Sequence, residues 1–343
     1  MKKILFTHTD LDGAGCAVIF LLAHNFMMNE AHVVHCSNAE VNAKVQQAWD
    51  TGLLDECESI CFGDICPGEQ MIWKLYAAFP NKISIWDHHW TNHYISDIVP
   101  TAIIKPEREN GQLESGTSLM FQHYCRNSKG GVPGLSCFTD AESYFGFDLL
   151  CEFVDTIRSY DTYEWKQTGN TTAKELQTLF HLIGMKKFVN KYYDKFINCS
   201  IGGEPLIDEN DLVFVRSKIE QEQRVIDSIT IDDVYVMHIK GYTCAVKFSS
   251  GGMNVSDFSH QFLGKYPHLD VLININMAGS IEYRTRRHDI NTGEIFAKMI
   301  EGGGGHPRAS GSPIPEEKIK ESIKSVMNLI DLDSEFCIYP TSS

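Results

Sequence analysis

From residue 1 to about 190 the chain alternates short β-type runs with helical ones, and this alternation limits its fold more than any other feature. Ile4–Phe6, His32–His35, Ile60–Phe62 and Ile83–Trp86 read as strands; Gly15–Phe26, Val41–Trp49 and Glu69–Phe79 between them read as helices. Strands separated by helices build βαβ units, and these stack into a parallel sheet. The expected class is therefore α/β, a parallel sheet with helices on both faces. In such a sheet ligands collect outside the carboxyl ends of the strands, where side chains far apart in sequence converge.

Metal-competent groups stand at three of those ends. His8, Asp10 and Asp12 of HTDLDG follow the first strand, Asp64 follows Ile60–Phe62, and Asp87, His88 and His89 follow the run Lys82–Trp86. Each has a bland alternative. Asp-x-Asp-Gly also occurs in turns and calcium loops, Asp64 before Pro67-Gly68 can cap a helix, and adjacent histidines can be surface residues. Together they describe one pocket. Carboxylates with one or two imidazoles and no cysteine suit manganese or another hard-to-borderline divalent ion, with magnesium or cobalt as substitutes, rather than structural zinc. More carboxylates than one ion needs point to two ions. Such a pair activates a water and neutralises charge growing on phosphoryl oxygens, which is the chemistry of phosphoester hydrolysis.

The second half of the chain has a different texture. Two glycines, a serine and a proline in Asn198–Pro205 mark a domain boundary, and Leu212, Val215, Ile219 and Ile226 recur at helical spacing through a connecting helix over Asp208–Ile229. Beyond it Val234–His238, Cys244–Phe248, Val271–Asn276 and Ser280–Thr285 read as strands and Val255–Lys265 as a helix, a smaller α+β domain. The expected division is 1–197 for the metal-binding domain, 198–229 for linker and connecting helix, and 230–343 for the second domain. An exposed loop is expected over Asn127–Leu135 and a helix over Phe145–Tyr160.

That second domain carries GGGGHPRASG, Gly302 to Gly311. Successive glycines let backbone N–H groups converge on an anion. Gly303, Gly304, Gly305, His306 and Arg308 are thus candidate substrate contacts, against the plainer reading of a flexible linker. In Tyr283-Arg284-Thr285-Arg286-Arg287-His288, Arg284 and Arg286 would share one face of a strand and hold a phosphate, or form a solvated charged edge.

Composition bounds the rest. At 343 residues the chain suits two domains. A formal net charge of −15 argues against gripping long duplex nucleic acid, which needs a basic face, but not against small anions. No run of about 18 apolar residues predicts a membrane span, and Asp10 and Asp12 interrupt the start before a signal peptide could form. Eleven cysteines without a CxxC pair suggest free thiols. A cytoplasmic enzyme is expected, with a homodimer as the default assembly.

HTDLDG, GDIC, WDHHWT and GGGGHPRASG, in that order, resemble the DHH phosphoesterase superfamily, the last being similar to its DHHA1 domain. The resemblance covers most of the chain. It implies a parallel-sheet DHH domain with a dimanganese centre and a DHHA1-type domain that closes a cleft over substrate. His8 and Asp10 match ligands of one metal, Asp12 one of the other, Asp64 the bridging carboxylate and His88 a further ligand; Asp87, His88 and His89 form the catalytic triplet, His89 near the scissile phosphate. The late aspartate ligand matches Asp161 of SYDTYEW, with Asp155 as rival on another helical face. Arg284 and the loop around His306 resemble substrate contacts.

Chain size and this loop look closest to the nanoRNase or oligoribonuclease branch. The implied activity is a manganese-dependent 3′–5′ exonuclease degrading short single-stranded oligonucleotides to mononucleotides. The alternative is a phosphatase of 3′,5′-bisphosphonucleosides or a linear dinucleotide phosphodiesterase. A silent nucleotide-binding protein is a third possibility, opposed by the filled ligand positions.

Overall fold

Strands β1 (Lys2–Thr7), β2 (His32–His35), β3 (Cys57–Gly63), β4 (Ile83–Asp87) and β5 (Ile103–Ile104) form one sheet, parallel throughout, in the order β2-β1-β3-β4-β5. The computed structural model describes residues 2–24, 32–126, 144–198, 205–249, 254–277 and 279–329. The loop expected over 127–135 and most of the stretch 198–205 lie outside the described residues. The chain divides into two compact units, Met1–Ile219 and Glu220–Ser343, the boundary falling within the helix Glu209–Ser228.

Period-two geometry sorts the strand side chains onto opposite faces. Ile4, Phe6, Ile60, Phe62, Ile83 and Ile85 belong to one core, closed by the amphipathic helices Val41–Asp50 and Glu69–Ala78 through Val41, Val45, Ile72 and Leu75. Leu5, Cys61 and Trp86 belong to the other. On that side the helix Leu11–His24 is buried from Leu11 to Ala23, because it is apolar all round and sits between the sheet and the helices Gly116–Arg126, Tyr144–Asp161 and Met185–Ile197. Each fully buried aliphatic or aromatic side chain of these cores contributes about 1.5–3 kcal/mol. With both faces covered, polar groups of the sheet collect at the strand ends. No described helix is long and apolar enough to cross a membrane.

Strands β6 (Tyr235–Ile239), β7 (Tyr242–Ser249), β8 (Val271–Asn276), β9 (Ser280–Arg284), β10 (Gly304–His306) and β11 (Ala309–Pro313) form the sheet of the second unit, ordered β10-β11-β9-β8-β7-β6. β7 and β8 are parallel, joined through the helix Val255–Lys265; the other pairs are antiparallel. Lys240 and Gly241, at φ 53° and 86°, make the tight β6–β7 turn. The unit is mixed α and β, with Ala245, Leu272, Phe258 and Phe262 packed on one face and Cys244, Val246, Val271, Tyr283 and Phe296 on the other.

Candidate metal centre

The turn after β1 is closed by its own side chains. Gly13 N donates to Asp10 Oδ1 at 2.9 Å, Thr7 Oγ1 donates to the Gly13 carbonyl at 2.9 Å, and His8 Nδ1 meets Asp10 Oδ2 at 2.5 Å. A Cβ at Gly13 would stand 2.1 Å from the His8 carbonyl oxygen, so the motif's glycine is needed for backbone approach. Asp12 is buried and points at the start of the helix Gly116–Arg126, accepting from Gly116 N at 2.6 Å and Thr117 N at 3.0 Å. An anion at a helix N-terminus is favoured by the exposed amides and the helix dipole.

Asp64 ends β3 in the left-handed region, φ 57°, with its backbone N–H held by the Trp86 carbonyl at 2.9 Å. A β-carbon on Gly116 would come within 2.6 Å of the Asp64 Cβ, so that helix terminus is pressed against Asp64 as well as Asp12. Such strain concentrates at functional sites. At the end of β4, buried Asp87 accepts from His89 N at 3.1 Å, His89 Nδ1 at 2.7 Å, Asn92 Nδ2 at 2.6 Å and the Cys66 thiol at 3.2 Å. His88 Nε2 stands 3.4 Å from Asp64 Oδ1 and 3.3 Å from Asp161 Oδ2.

Ligand-type atoms of His8, Asp10 and Asp64 lie within 4.8 Å of one another, as do those of Asp12, His88 and Asp161 and those of Asp64, Asp87, His88 and His89. Asp64 and His88 each belong to two of these groups, which fuses them into one site. The aspartate ending the helix Tyr144–Asp161 is the one brought in. Asp155, six residues earlier on that helix, has a side chain 61% exposed and pairs with Arg158. The sequence did not disclose Gly116, Thr117, Cys66 or Asn92 as supports. Cys66, the last residue of GDIC, and Asn92, three residues beyond His89, lay near enough to a motif to be noticed; Gly116 and Thr117 did not.

Charge in this site is out of balance. Burial, then the charges of Asp12, Asp10 and Asp161, raise the Asp64 carboxyl well above its ordinary range. Burial likewise carries Asp161 up to about 7, against the lowering charge of His88 and with Asp12 and Asp10 adding to the rise. Burial pushes Asp10 the same way, but its bond to His8, the His8 charge and the Gly13 amide together overcome it and lower the group to about 2. Burial also opposes a charged His89, yet its bond to Asp87 raises it to about 9 and holds Asp87 low. Asp64 Oδ2 and His88 Nε2 are buried without a hydrogen-bond partner. Buried polar atoms are rarely left so, since each costs about 1–3 kcal/mol. Two orphaned ligand atoms among crowded carboxylates are what a divalent cation would satisfy, so the donor set fits a metal.

The second unit places its expected residues differently. Gly302–Gly305 is not one open loop: Gly304–His306 forms edge strand β10, with Gly304, Gly305 and His306 opposite Gly311, Ser310 and Ala309, and Pro307-Arg308 makes the hairpin turn. The ladder claims the glycine run because β11 already pairs with β9 and offers a free edge. Gly303 is wedged in the chain before it, where a Cβ would come within 2.0 Å of the Ala297 carbonyl oxygen. His306 and Arg308 are exposed.

Arg284 and Arg286 do not share a strand face. β9 stops at Arg284, because Thr285 turns out of the strand, its hydroxyl donating to the Asp270 carbonyl and accepting from Arg287 N. Half-buried Arg284 bonds the carbonyls of Tyr283 and Ser310; Arg286 is exposed.

No known protein-family profile matches the chain. It is 26% identical over 324 residues to oligoribonuclease NrnB of Bacillus subtilis (strain 168), covering 91% of this chain and 73% of that protein. Its fold resembles a solved DHH domain assigned to the s1p family of ribosomal proteins, TM-score 0.54, with 14% identity over 97% of this chain and 87% of that one. The pGpG-specific phosphodiesterase PggH of Vibrio cholerae aligns with TM-score 0.51 and 14% identity over 97% and 100% of the two chains. RecJ of Thermus thermophilus, solved with manganese, aligns with TM-score 0.53 and 10% identity over 96% and 52%.

Proposed function

We propose, from this chain's membership of the DHH/DHHA1 phosphoesterase superfamily, that it is a metal-dependent phosphodiesterase degrading short oligonucleotides to mononucleotides. The observation that carries this reading is the pair of orphaned buried atoms, Asp64 Oδ2 and His88 Nε2, inside a converging set of carboxylates. His8, Asp10 and Asp64 would hold one divalent ion and Asp12, Asp64, His88 and Asp161 another, manganese being the ion best suited to such oxygen-rich sets. Bound there, the ions supply an activated water and neutralise charge developing on the phosphoryl oxygens.

The remaining work falls to the protein's own groups. Asp87 fixes His89 through Nδ1, at 2.7 Å, and keeps the ring charged at neutral pH, so that Nε2–H can donate to a phosphoryl oxygen. Asp12, anchored on the amides of Gly116 and Thr117, presents a carboxylate whose rotamer is already set. Arg284, Arg286, Gly303, Gly304, Gly305, His306 and Arg308 are proposed as the second unit's substrate contacts.

A second reading, a phosphodiesterase of linear dinucleotides, is favoured by the likeness in fold to PggH, which covers 97% of this chain and 100% of that one. Incubation of the pure protein with manganese and, separately, a labelled pentanucleotide, a linear dinucleotide and a 3′,5′-bisphosphonucleoside decides. Stepwise shortening of the pentanucleotide from its 3′ end is the expected result. Cleavage of the dinucleotide alone, or loss of phosphate from the bisphosphonucleoside alone, replaces it. Equal hydrolysis by Asp64→Ala, Asp87→Ala and parent proteins would remove the enzyme reading.

A further inference from the structure

An indole in water, next in sequence to the candidate metal centre, needs a reason. Trp90 follows His89 directly and is 65% exposed, among the most exposed large apolar side chains of the described residues. It is not loosely held. Residues Trp90–Asn92 form a single tight turn, in which Asn92 N donates to the His89 carbonyl at 3.0 Å and His93 N to the Trp90 carbonyl at 3.1 Å. The Asn92 side chain is fastened at 2.6 Å to Asp87, the carboxylate that also sets His89. The His93 ring lies nearly parallel to the indole, 10° apart with centroids at 4.9 Å, bracing one face. The platform is thereby fixed relative to His89, and two residues of chain, at most about 7 Å, separate it from His88.

A second aromatic ring stands at the same distance in sequence from another member of the site. Tyr163 lies two residues beyond Asp161, is 42% exposed, and occupies the left-handed region at φ 63°, a conformation unfavourable for a tyrosine. Its ring has the Lys166 ammonium 5.1 Å from its centroid, and the same ammonium is 5.2 Å from Trp165, which stacks on Tyr160. Asp161 and His88 are themselves 3.3 Å apart, so both aromatic segments leave from one point of the pocket.

We propose that Trp90 is a nucleobase-stacking platform beside the phosphate site, with Tyr163 and Lys166 as its companion on the opposite segment. This rests on the phosphodiesterase reading for the position of the phosphate and deepens it by naming how the base is held. Stacking engages the π-face that every base has, so the subsite would favour nucleotides over other phosphate esters without selecting a particular base. A cation on the companion ring adds attraction for the nucleotide's phosphates, useful in a protein of net charge −15.

The test is calorimetric binding, with manganese present, of adenosine 5′-monophosphate and of ribose 5-phosphate to the full chain and to Trp90→Ala and Trp90→Phe. Trp90→Ala is expected to weaken the nucleotide roughly ten-fold or more and leave the sugar phosphate unchanged, while Trp90→Phe keeps most of the affinity. Unchanged nucleotide binding in Trp90→Ala, equal weakening of both ligands, or equal affinity of the parent protein for both would overturn the platform. Binding is read without turnover. A chain that stacks the nucleotide on Trp90 yet hydrolyses no oligonucleotide would lose the proposed function and keep this inference.

Discussion

Asp64 Oδ1 lies 3.4 Å from His88 Nε2, yet the two make no hydrogen bond, and both His88 Nε2 and the other Asp64 oxygen are without a partner in the protein interior. They end neighbouring strands of one parallel sheet, β3 and β4, and are held toward each other by backbone the sheet has already fixed. Side chains placed this way are too close to ignore each other and too poorly aligned to pair. A shared cation resolves both conditions.

Asp64→Asn should therefore separate stability from activity. With EDTA present the variant should melt higher than the parent, because the Asp64 carboxyl, crowded by Asp10, Asp12 and Asp161, must take up a proton on folding and an amide need not. With manganese the parent should gain about 2.7 kcal/mol at a hundred times the dissociation constant, and the variant much less. Hydrolysis should fall by more than about 100-fold, beyond the effect typical of an outer-shell partner. Calorimetric melts with and without metal check the first half and steady-state kinetics the second; an identical metal response in both proteins would sink it.

Gly116→Ala should act on the site without touching a ligand. The added methyl would meet the Asp64 Cβ at 2.6 Å and its backbone N and Cα at 2.8 Å, which cannot swing aside as a side-chain tip could. A loss of about 1–3 kcal/mol is expected, with hydrolysis falling further than stability because Asp12 and Asp64 are displaced together. Urea melts beside kinetics test this, and full activity in the variant would contradict it.

Asp87→Asn should lower kcat by about 10–100-fold with KM little changed. The carboxylate collects bonds from His89, Asn92 and Cys66; an amide can accept at only one of its two atoms, so the imidazole loses both its charge partner and its orientation. Asn92→Ala should give a smaller effect of the same kind. If the Asp87→Asn change appeared wholly in KM, the positioning role would be wrong.

A pH dependence is expected far from the metal site, at His24. Burial, then the Lys3 charge, lower it to about 4. Its ring nitrogens face Lys3 Nζ at 3.2 Å and Tyr124 Oη at 3.0 Å. With a folded pKa below the unfolded value of about 6.5, the unfolded chain binds more protons in acid. The neutral ring's contribution is intact above pH 6.5 and declines as pH falls toward 4, by a total on the order of 3 kcal/mol. Denaturant melts of His24→Gln between pH 4.5 and 8 should show a smaller loss of stability toward acid than those of the parent. An unaltered slope would refute this assignment.

The parallel sheet, its helices on both faces and the convergence of His8, Asp64 and His88 follow from the sequence alone, because alternating periodicity is local and a parallel sheet gathers its strand ends whatever lies between them. Periodicity could not say which aspartate of the helix Tyr144–Asp161 turns inward, and the packing of that helix decided for Asp161 over Asp155. Nor could it reveal that Asp12 is anchored by Gly116 and Thr117, a contact across about a hundred residues that no local rule encodes. In the second unit tertiary pairing overrode local composition: the glycine run became an edge strand because β11 offered it a hydrogen-bonding edge, and Thr285, bonded to Asp270, ended β9 before Arg286 could join Arg284. Short-range backbone preference fixes what a segment can be, while competition for hydrogen bonds and space in the folded protein settles what it becomes.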